Sequence, residues 1–446
     1  MSIKAGVISL GCDKNRVDTE RLLQSLAEAN VEITGGIGDA DVIFINTCAF
    51  TEAAKAEAID AILEALEEKE RRGAKVVVTG CLPERYREKL SAEFDKVDAF
   101  SGIHAYGGVN EILSDIFKSE SQNTDESRCY FPAASKEPEA RILTTPPHYA
   151  YLKIADGCDN RCTYCAIPKI RGSFRSRPIE KIVKESQALI DNYGVKELIL
   201  VAQDTSRYGS DLYGKPSLIE LLRKLCMLEI EWIRVLYLYP ELITDELIEL
   251  MAGKEKIVKY ADIPLQHISD GVLKRMARRG SKAEIISLLE KMKAKNFTLR
   301  SSFIAGFPGE TEEEFSELIS FIEAGYIDYA GFFAYSKEDG TAAARMKGQI
   351  PKRIRESRAN LLRAAQSRVM AEKCKGQKGK VLRVLYEDID YDKGLFFGRA
   401  AFQAPDIDNL VLFSADFAPE VGEFYEVEIT GSSGIDLVGR AVKPSA

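Results

Sequence analysis

Three cysteines fall within eight residues, Cys158, Cys162 and Cys165, in the spacing CxxxCxxC. A loop this short can turn three thiolates toward one point, and the fold around it must respect that demand. Three ligands are an incomplete set. A structural zinc site normally closes with four protein donors. Most iron–sulfur clusters also take four cysteines, so a tetranuclear cluster held by three keeps one iron open to an outside ligand. Zinc is the alternative, with His148, ten residues upstream, as the fourth donor.

The spacing, with Tyr164 just before the last cysteine, resembles the signature of radical S-adenosylmethionine (SAM) enzymes. That resemblance implies an open iron that binds the amino and carboxylate groups of the methionine moiety. It also implies release of a 5′-deoxyadenosyl radical when an electron from the cluster splits the sulfonium. In such enzymes the cofactor carries the hard chemistry, and the protein orients it and excludes water.

The 446 residues suffice for two or three domains. No run of eighteen apolar residues is present, so no membrane span is expected. The N-terminus, Met1 to Val7, lacks a secretory hydrophobic region. An odd number of cysteines, nine, argues against a disulfide framework and for a reducing compartment, the cytoplasm. A formal net charge of −8 gives no support to broad nucleic-acid binding and suits a basic partner.

In the N-terminal part, residues 4–10 read as a strand followed by Gly11 and Cys12. Residues 18–29 have helical periodicity, with Asp18 as a plausible cap. The unit recurs twice. A strand at 41–46 precedes Cys48 and a helix over 51–71; a strand at 75–79 precedes Gly80, Cys81 and a helix after Pro83. Strand, turn and helix three times over predict a parallel α/β sheet. Ligands of such sheets bind beyond the carboxyl ends of the strands. A lone cysteine in that slot is better explained by packing. Three cysteines in the same slot, Cys12, Cys48 and Cys81, point to a second metal site.

Two three-cysteine sites in one chain are similar to those of the methylthiotransferases, with one cluster for SAM and one auxiliary. The stretch Ser9 to Glu20 (SLGCDKNRVDTE) resembles the RimO branch, with Asp13 and Thr19 where Pro and Ser are more usual. The run Pro264 to Asp270 (PLQHISD) resembles the same branch. The MiaB branch acts on tRNA and tends to differ at both places.

Residues 118–147 are polar and contain four prolines, which reads as a connection between domains. Cys129 within it has no evident ligand partners. From Tyr149 the βα rhythm returns, with strands expected at 149–155, 197–202, 232–238, 260–264, 298–305 and 329–335. Helices are expected at 178–192, 216–228, 243–252, 269–295 and 311–324. Six strands with intervening helices predict a partial (β/α)6 barrel whose site lies at the carboxyl ends of its strands.

Polar and glycine-rich clusters follow those strand ends. Gln203 and Asp204 are either cofactor contacts or a polar loop. In Gly306-Phe307-Pro308-Gly309-Glu310, Thr311 and Glu314 make a capping box, and the bare backbone suits close approach to a ligand. The resemblance implies that Tyr164, Gln203, Asp204, Gly306, Phe307 and Gly309 line the SAM site. His267 is either a proton donor or a packed core imidazole, the latter favoured. Arg171 and Arg175 either meet a carboxylate of substrate or cofactor or lie in solvent. Cys226 reads as core, and Cys374 has no assignment.

Residues 351–375 read as one basic helix, with Arg355, Arg358 and Arg363 on a solvated face. Five short strands between 380 and 442 predict a small antiparallel barrel, similar to the TRAM domain of methylthiotransferases. From Gln377 to Ala446, four Lys and three Arg oppose seven Asp and five Glu, 7 − 12 = −5. Such a domain repels RNA on average and attracts a basic protein.

The expected organisation is a parallel α/β domain over 1–118, a linker over 119–147, a radical SAM core over 148–375 and a TRAM-like barrel over 376–446. The resemblance implies a methylthiotransferase with two 4Fe–4S clusters and SAM. Cys158, Cys162 and Cys165 would hold one cluster, and Cys12, Cys48 and Cys81 the other. The implied target is an aspartate β-carbon of small-subunit ribosomal protein twelve, with a flavodoxin- or ferredoxin-like electron donor and a sulfur donor as further partners. A tRNA methylthiotransferase and a metal-binding module without turnover are the rivals.

Overall fold

The computed structural model describes residues 2–118, 128–132 and 138–444. They divide into two compact units. The first comprises Met1–Thr145 with Asp156–Asn160 and Cys165–Arg175; the second comprises Pro146–Ala155, Arg161–Tyr164 and Ser176–Ala446. Cys158 and Cys165 are thus counted with the first unit and Cys162 with the second.

The first unit is built on six parallel strands in the order β2 (Glu32–Ile33), β1 (Lys4–Ser9), β3 (Val42–Thr47), β4 (Lys75–Gly80), β5 (Ala99–Ser101), β6 (Arg128–Tyr130). Every residue of β3 is buried, as a strand covered on both faces requires. Its side chains alternate between two cores. Ile43 and Ile45 pack with Ala58, Ile62 and Ala65 of helix α2 (Glu52–Arg72). Val42 and Phe44 pack with Leu22 and Leu26 of helix α1 (Asp13–Glu28). Period two is the geometric cause.

Two details differ from the sequence reading. Helix α1 starts at Asp13, not near Asp18, and Cys12 occupies its N-cap position. The first turn carries Lys14 and Asn15, which are buried although polar, so apolar periodicity does not announce it. Within the polar stretch after residue 118, Arg128–Tyr130 adds the edge strand β6, paired to β5.

In the second unit, six parallel strands run in sequential order: Tyr149–Lys153, Glu197–Val201, Trp232–Val235, Ile257–Asp262, Thr298–Ala305 and Tyr329–Ala334. This is the open (β/α)6 arrangement expected. The run read as one helix over 269–295 is two, Asp270–Arg275 and Lys282–Ala294. Ala277 (φ 54°) and Gly280 (φ 85°) break it, and Ser281 with Glu284 forms a capping box for the second.

A closed five-stranded barrel follows, formed by Val381–Asp390, Leu395–Ala400, Val411–Ser414, Phe424–Ser433 and Asp436–Pro444. Four of its pairings are antiparallel and one, between Val411–Ser414 and Leu437–Arg440, is parallel.

The seam between this barrel and the six-stranded sheet is ionic and buried. Glu197 pairs with Arg234 at 2.7 Å and with Arg399 at 2.8 Å, and all three side chains are fully inaccessible. Arg399 also pairs with Glu387 at 2.8 Å. Tyr260 donates to Asp408 Oδ2 at 2.7 Å, and the rings of Trp232 and Phe424 meet edge-on at 4.8 Å.

The helix Lys352–Lys375 corrects another expectation in part: Arg363 is exposed, but Arg355 is half-buried and Arg358 buried, and all three are tied to the sheet rather than left to solvent. Arg358 is buried and donates to Glu310 O and Oε1 at 3.2 and 2.7 Å. Arg363 donates to Phe332 O at 2.7 Å, and Arg355 donates to Tyr335 O. Helical spacing sets which side chains share a stripe; it does not say that strand-end carbonyls wait beside that stripe. Among the described residues no helix is long and apolar enough to cross a membrane.

Candidate metal centres and cofactor site

The register of the first sheet brings Cys12, Cys48 and Cys81 together. Ser9 is level with Asn46, Asn46 with Thr79, and Thr47 with Gly80, so three strand ends stop on one line. Cys48 and Cys81 follow their strands directly, and Cys12 caps α1. Gly11 and Gly80 both have φ 94°, a region that penalises any Cβ. A Cβ at Gly11 would lie 2.7 Å from Cys48 Cβ, and one at Gly80 would lie 2.4 Å from Asn46 Oδ1.

Electrostatics report the same proximity. Burial pushes the Cys48 thiol up; a backbone hydrogen bond at Phe50 opposes the rise and the charge of Cys12 adds to it. Burial pushes Cys81 up to about 12, with Arg171 opposing and Cys48 and Cys12 adding. Loading of a metal group here therefore displaces protons.

Arg171 belongs neither to solvent nor to a substrate carboxylate. It is 2 % exposed and its guanidinium spans two sides of the first unit. Nη1 donates to Asp156 Oδ1 and Oδ2 at 3.1 and 3.0 Å. Nη2 donates to Asn15 Oδ1 at 3.2 Å, Asp18 Oδ2 at 2.9 Å and Cys81 Sγ at 3.6 Å. Burial alone would lower its pKa, yet Asp156, Cys81 and Asp18 hold it well above the ordinary value. Arg175 Nη2 donates to His104 Nε2 at 2.6 Å.

Sequence reasoning passed over Asn15, the buried Asp18, Asn46 and Tyr106. Asn15 Nδ2 donates to Leu10 O at 2.6 Å, and Asn46 Nδ2 donates to Asn15 O at 2.9 Å and Thr19 Oγ1 at 2.8 Å. For Asn15 and Asn46 the signal was an amide side chain beside a strand-end cysteine, where its donor and acceptor can satisfy buried backbone groups.

In the CxxxCxxC loop, Gly157 (φ 76°) packs so closely that a Cβ would lie 2.2 Å from Ser173 O. Cys158 N donates to Gly172 O at 3.1 Å. Cys162 Sγ accepts from Arg278 Nη1 at 4.0 Å. Thr163 N and Oγ1 donate to Met276 O and Arg275 O at 3.0 and 2.9 Å. Cys158 and Cys162 are buried and Cys165 half-buried. His148 is paired with Glu387 at 3.3 Å, so the fourth donor that zinc would need is occupied in the seam with the C-terminal barrel.

Among the described residues, no three Cys, His, Asp or Glu side chains converge as donors around one ion would, with metal–sulfur distances of about 2.3 Å. A tetranuclear cluster takes each thiolate on a separate iron, so its ligands stand wider apart. The sulfur-only donor sets suit such a cluster.

The candidate cofactor contacts divide. Gln203 is half-buried, and its Oε1 and Nε2 are buried with no hydrogen-bond partner among the described residues. A buried amide left so costs stability unless a ligand satisfies it. Asp204 instead accepts from Ser206 Oγ at 2.6 Å and Arg207 N at 3.2 Å, which makes it a turn-former.

Tyr164 packs against Val272, Met276, Phe307, Tyr335 and Ala343. Phe307 is fully buried in that cluster. Gly306 (φ 73°) leaves room that Arg355 fills, since a Cβ there would lie 2.4 Å from Arg355 Cγ. Gly309 N donates to Gly348 O at 2.9 Å. His267 is fully buried, and its Nδ1 accepts from Ser269 N at 3.0 Å, as a core imidazole does.

Of the other cysteines, Cys129 is exposed on β6, Cys226 is half-buried at a helix end, and Cys374 is buried in the C-terminal barrel core. Among the described residues no disulfide joins any cysteine.

Residues 152–322 match the radical SAM superfamily, residues 379–442 the TRAM domain, and residues 4–102 an uncharacterized protein family, UPF0004. The chain is 46% identical over 439 residues to the ribosomal protein uS12 methylthiotransferase RimO of Clostridium novyi (strain NT), covering 98% of this chain and 97% of that one. It is 42% identical to the protein of the same name from Acetivibrio thermocellus, covering 100% of both. Among solved structures, the radical SAM methyltransferase TsrM from Kitasatospora setae, with tryptophan and a SAM analogue bound, superposes with a TM-score of 0.55. The match has 13% identity and covers 87% of this chain and 79% of that one, a likeness of fold alone.

Proposed function

The chain belongs to the uS12 methylthiotransferase family of radical SAM enzymes, and from that premise we propose that it transfers a methylthio group to the β-carbon of an aspartate in ribosomal protein uS12. The observation that carries the two-cluster reading is the convergence of Cys12, Cys48 and Cys81 at one sheet edge, in addition to the CxxxCxxC loop. In this reading Cys158, Cys162 and Cys165 hold the cluster that binds SAM, and Cys12, Cys48 and Cys81 hold an auxiliary cluster. Bound there, the two clusters would supply the electron that cleaves SAM and the sulfur that is transferred.

The chain's own residues bind and shield. Gln203 offers a buried donor and acceptor to the polar end of SAM. Tyr164 belongs to the apolar floor formed with Phe307 and Tyr335, which excludes water from the radical's surroundings. Gly306 and Gly309 shape the turn beside it. Asp204 sets the loop that presents Gln203. An unactivated C–H bond has no acidic proton, so hydrogen abstraction needs no general base, and the inaccessible His267 is consistent with that. The acidic C-terminal barrel favours a basic protein partner over RNA. A flavodoxin- or ferredoxin-like reductant and a separate sulfur donor complete the system.

An anaerobic assay that offers reconstituted enzyme both uS12 and tRNA tests this. Methylthio product on the uS12 aspartate is expected, and product on tRNA alone refutes the substrate assignment.

A further inference from the structure

Arg171 stands six residues beyond Cys165, yet its guanidinium reaches the cysteine triad of the first sheet. On one side it holds Asp156, the residue before Gly157 and Cys158. On the other it holds Asp18 and Asn15 of α1 and donates to Cys81 Sγ. The side chains of Arg171 and Asp18 are each 1 % exposed. A charge so placed is screened little by water, and its worth lies in what it does to neighbouring charge.

A second buried polar group belongs to the same electrostatic neighbourhood. The Tyr106 hydroxyl is buried and has no hydrogen-bond partner among the described residues. It lies within electrostatic reach of Asp18, Arg171 and Cys81. A buried hydroxyl without a partner is rare, and a sulfur-rich group seated on the triad would give it an acceptor.

On the reading that Cys12, Cys48 and Cys81 hold an auxiliary iron–sulfur cluster, we propose that Arg171 is a positioning residue that raises the cluster's reduction potential through its cation and its N–H donation to Cys81 Sγ, that Asp18 trims this effect, and that Tyr106 adds a second donor. Reduction adds negative charge to a cluster, and both a nearby cation and hydrogen bonds to its sulfurs stabilise that charge. The chemistry has a use for it. A carbon radical that joins a closed-shell sulfide has one electron to dispose of, and a cation beside the sulfur favours its acceptance. The same guanidinium fixes Asp156, so the loop of Cys158 is anchored by the residue that tunes the other site.

The test is a redox titration followed by electron paramagnetic resonance, on full-length protein with Cys158, Cys162 and Cys165 changed to Ala so that only the auxiliary site is loaded. Retention of about four irons per chain in that background checks the underlying reading; its loss with no signal refutes the auxiliary cluster itself. Given the cluster, Arg171→Gln is expected to move the midpoint to more negative potential. Arg171→Lys should move it less, and Asp18→Asn should move it to more positive potential.

Mere loosening of the site admits water and shifts all variants one way, so opposite signs for Arg171→Gln and Asp18→Asn are the diagnostic result. Shifts of the same sign, or none, overturn the proposal. Where Arg171→Gln fails to hold iron, Asp18→Asn decides alone: a rise supports the proposal, and an unchanged or lower midpoint overturns it. Tyr106→Phe, which removes only the hydroxyl, should lower the midpoint, and an unchanged value removes Tyr106 from the scheme.

Discussion

At the scale of residues, three of the proposed ligands share one local solution. Gly11, Gly80 and Gly157 precede Cys12, Cys81 and Cys158, all with positive φ between 76° and 94°. Each lets the chain reverse sharply at a strand end without a Cβ in the way; the next side chain is buried at Cys81 and Cys158 and exposed at Cys12. The pairing of Gly with Cys was visible in the sequence; its cause was not, because the clashing atoms at Gly157, Ser173 O and Gly172 O, come from fifteen residues away or more. Division of labour between the two triads gives a residue-level prediction. Cys12→Ala should abolish methylthio product while 5′-deoxyadenosine, measured by chromatography, still forms. Methylthio product at the parental level would remove Cys12 from the scheme.

At the scale of elements, the helix Lys352–Lys375 is tied to the six-stranded sheet through charge as much as through apolar packing. Arg358 joins Glu310, whose Oε2 in turn accepts from Gly306 N and Phe307 N at 2.8 and 3.2 Å. One carboxylate therefore shapes the glycine turn and anchors the helix. Arg358→Met should cost about 3 kcal/mol, because it leaves Glu310 buried without its cation. A fall in Tm measured by calorimetry checks this, and an unchanged Tm would show the pair to be dispensable.

These elements also show what a single sequence makes legible. The strand Val42–Thr47 declares itself by a β-branched run between turn residues. Helix α1 hid its start, because Asn15 and Asp18 face a buried guanidinium rather than water. Arg171 and Arg358 were misread for one reason: a basic residue reads as solvated until its distant carboxylate is placed, and Asp18 and Glu310 lie 153 and 48 residues away. Gln203 stood out as a candidate because it follows a strand end. Arg128–Tyr130 was not, because three residues carry no period.

For the whole molecule, the two triads set a stoichiometry. Anaerobically reconstituted protein should contain about eight irons and eight sulfides per chain, as two tetranuclear clusters require. Metal analysis that finds one zinc and no sulfide would favour a binding module without turnover. Removal of either triad should halve the iron, because the donor sets are separate in the sequence.

The ionic seam beneath the C-terminal barrel has a mechanical corollary. Prising Arg399 from Glu197 would strand charges in a dry interface, at a cost no thermal fluctuation readily meets. That barrel is accordingly seated on the six-stranded sheet and not a swinging arm. On the proposed reading, a basic partner meets an acidic surface whose position is already set, and no closing motion of this domain takes part in choosing it.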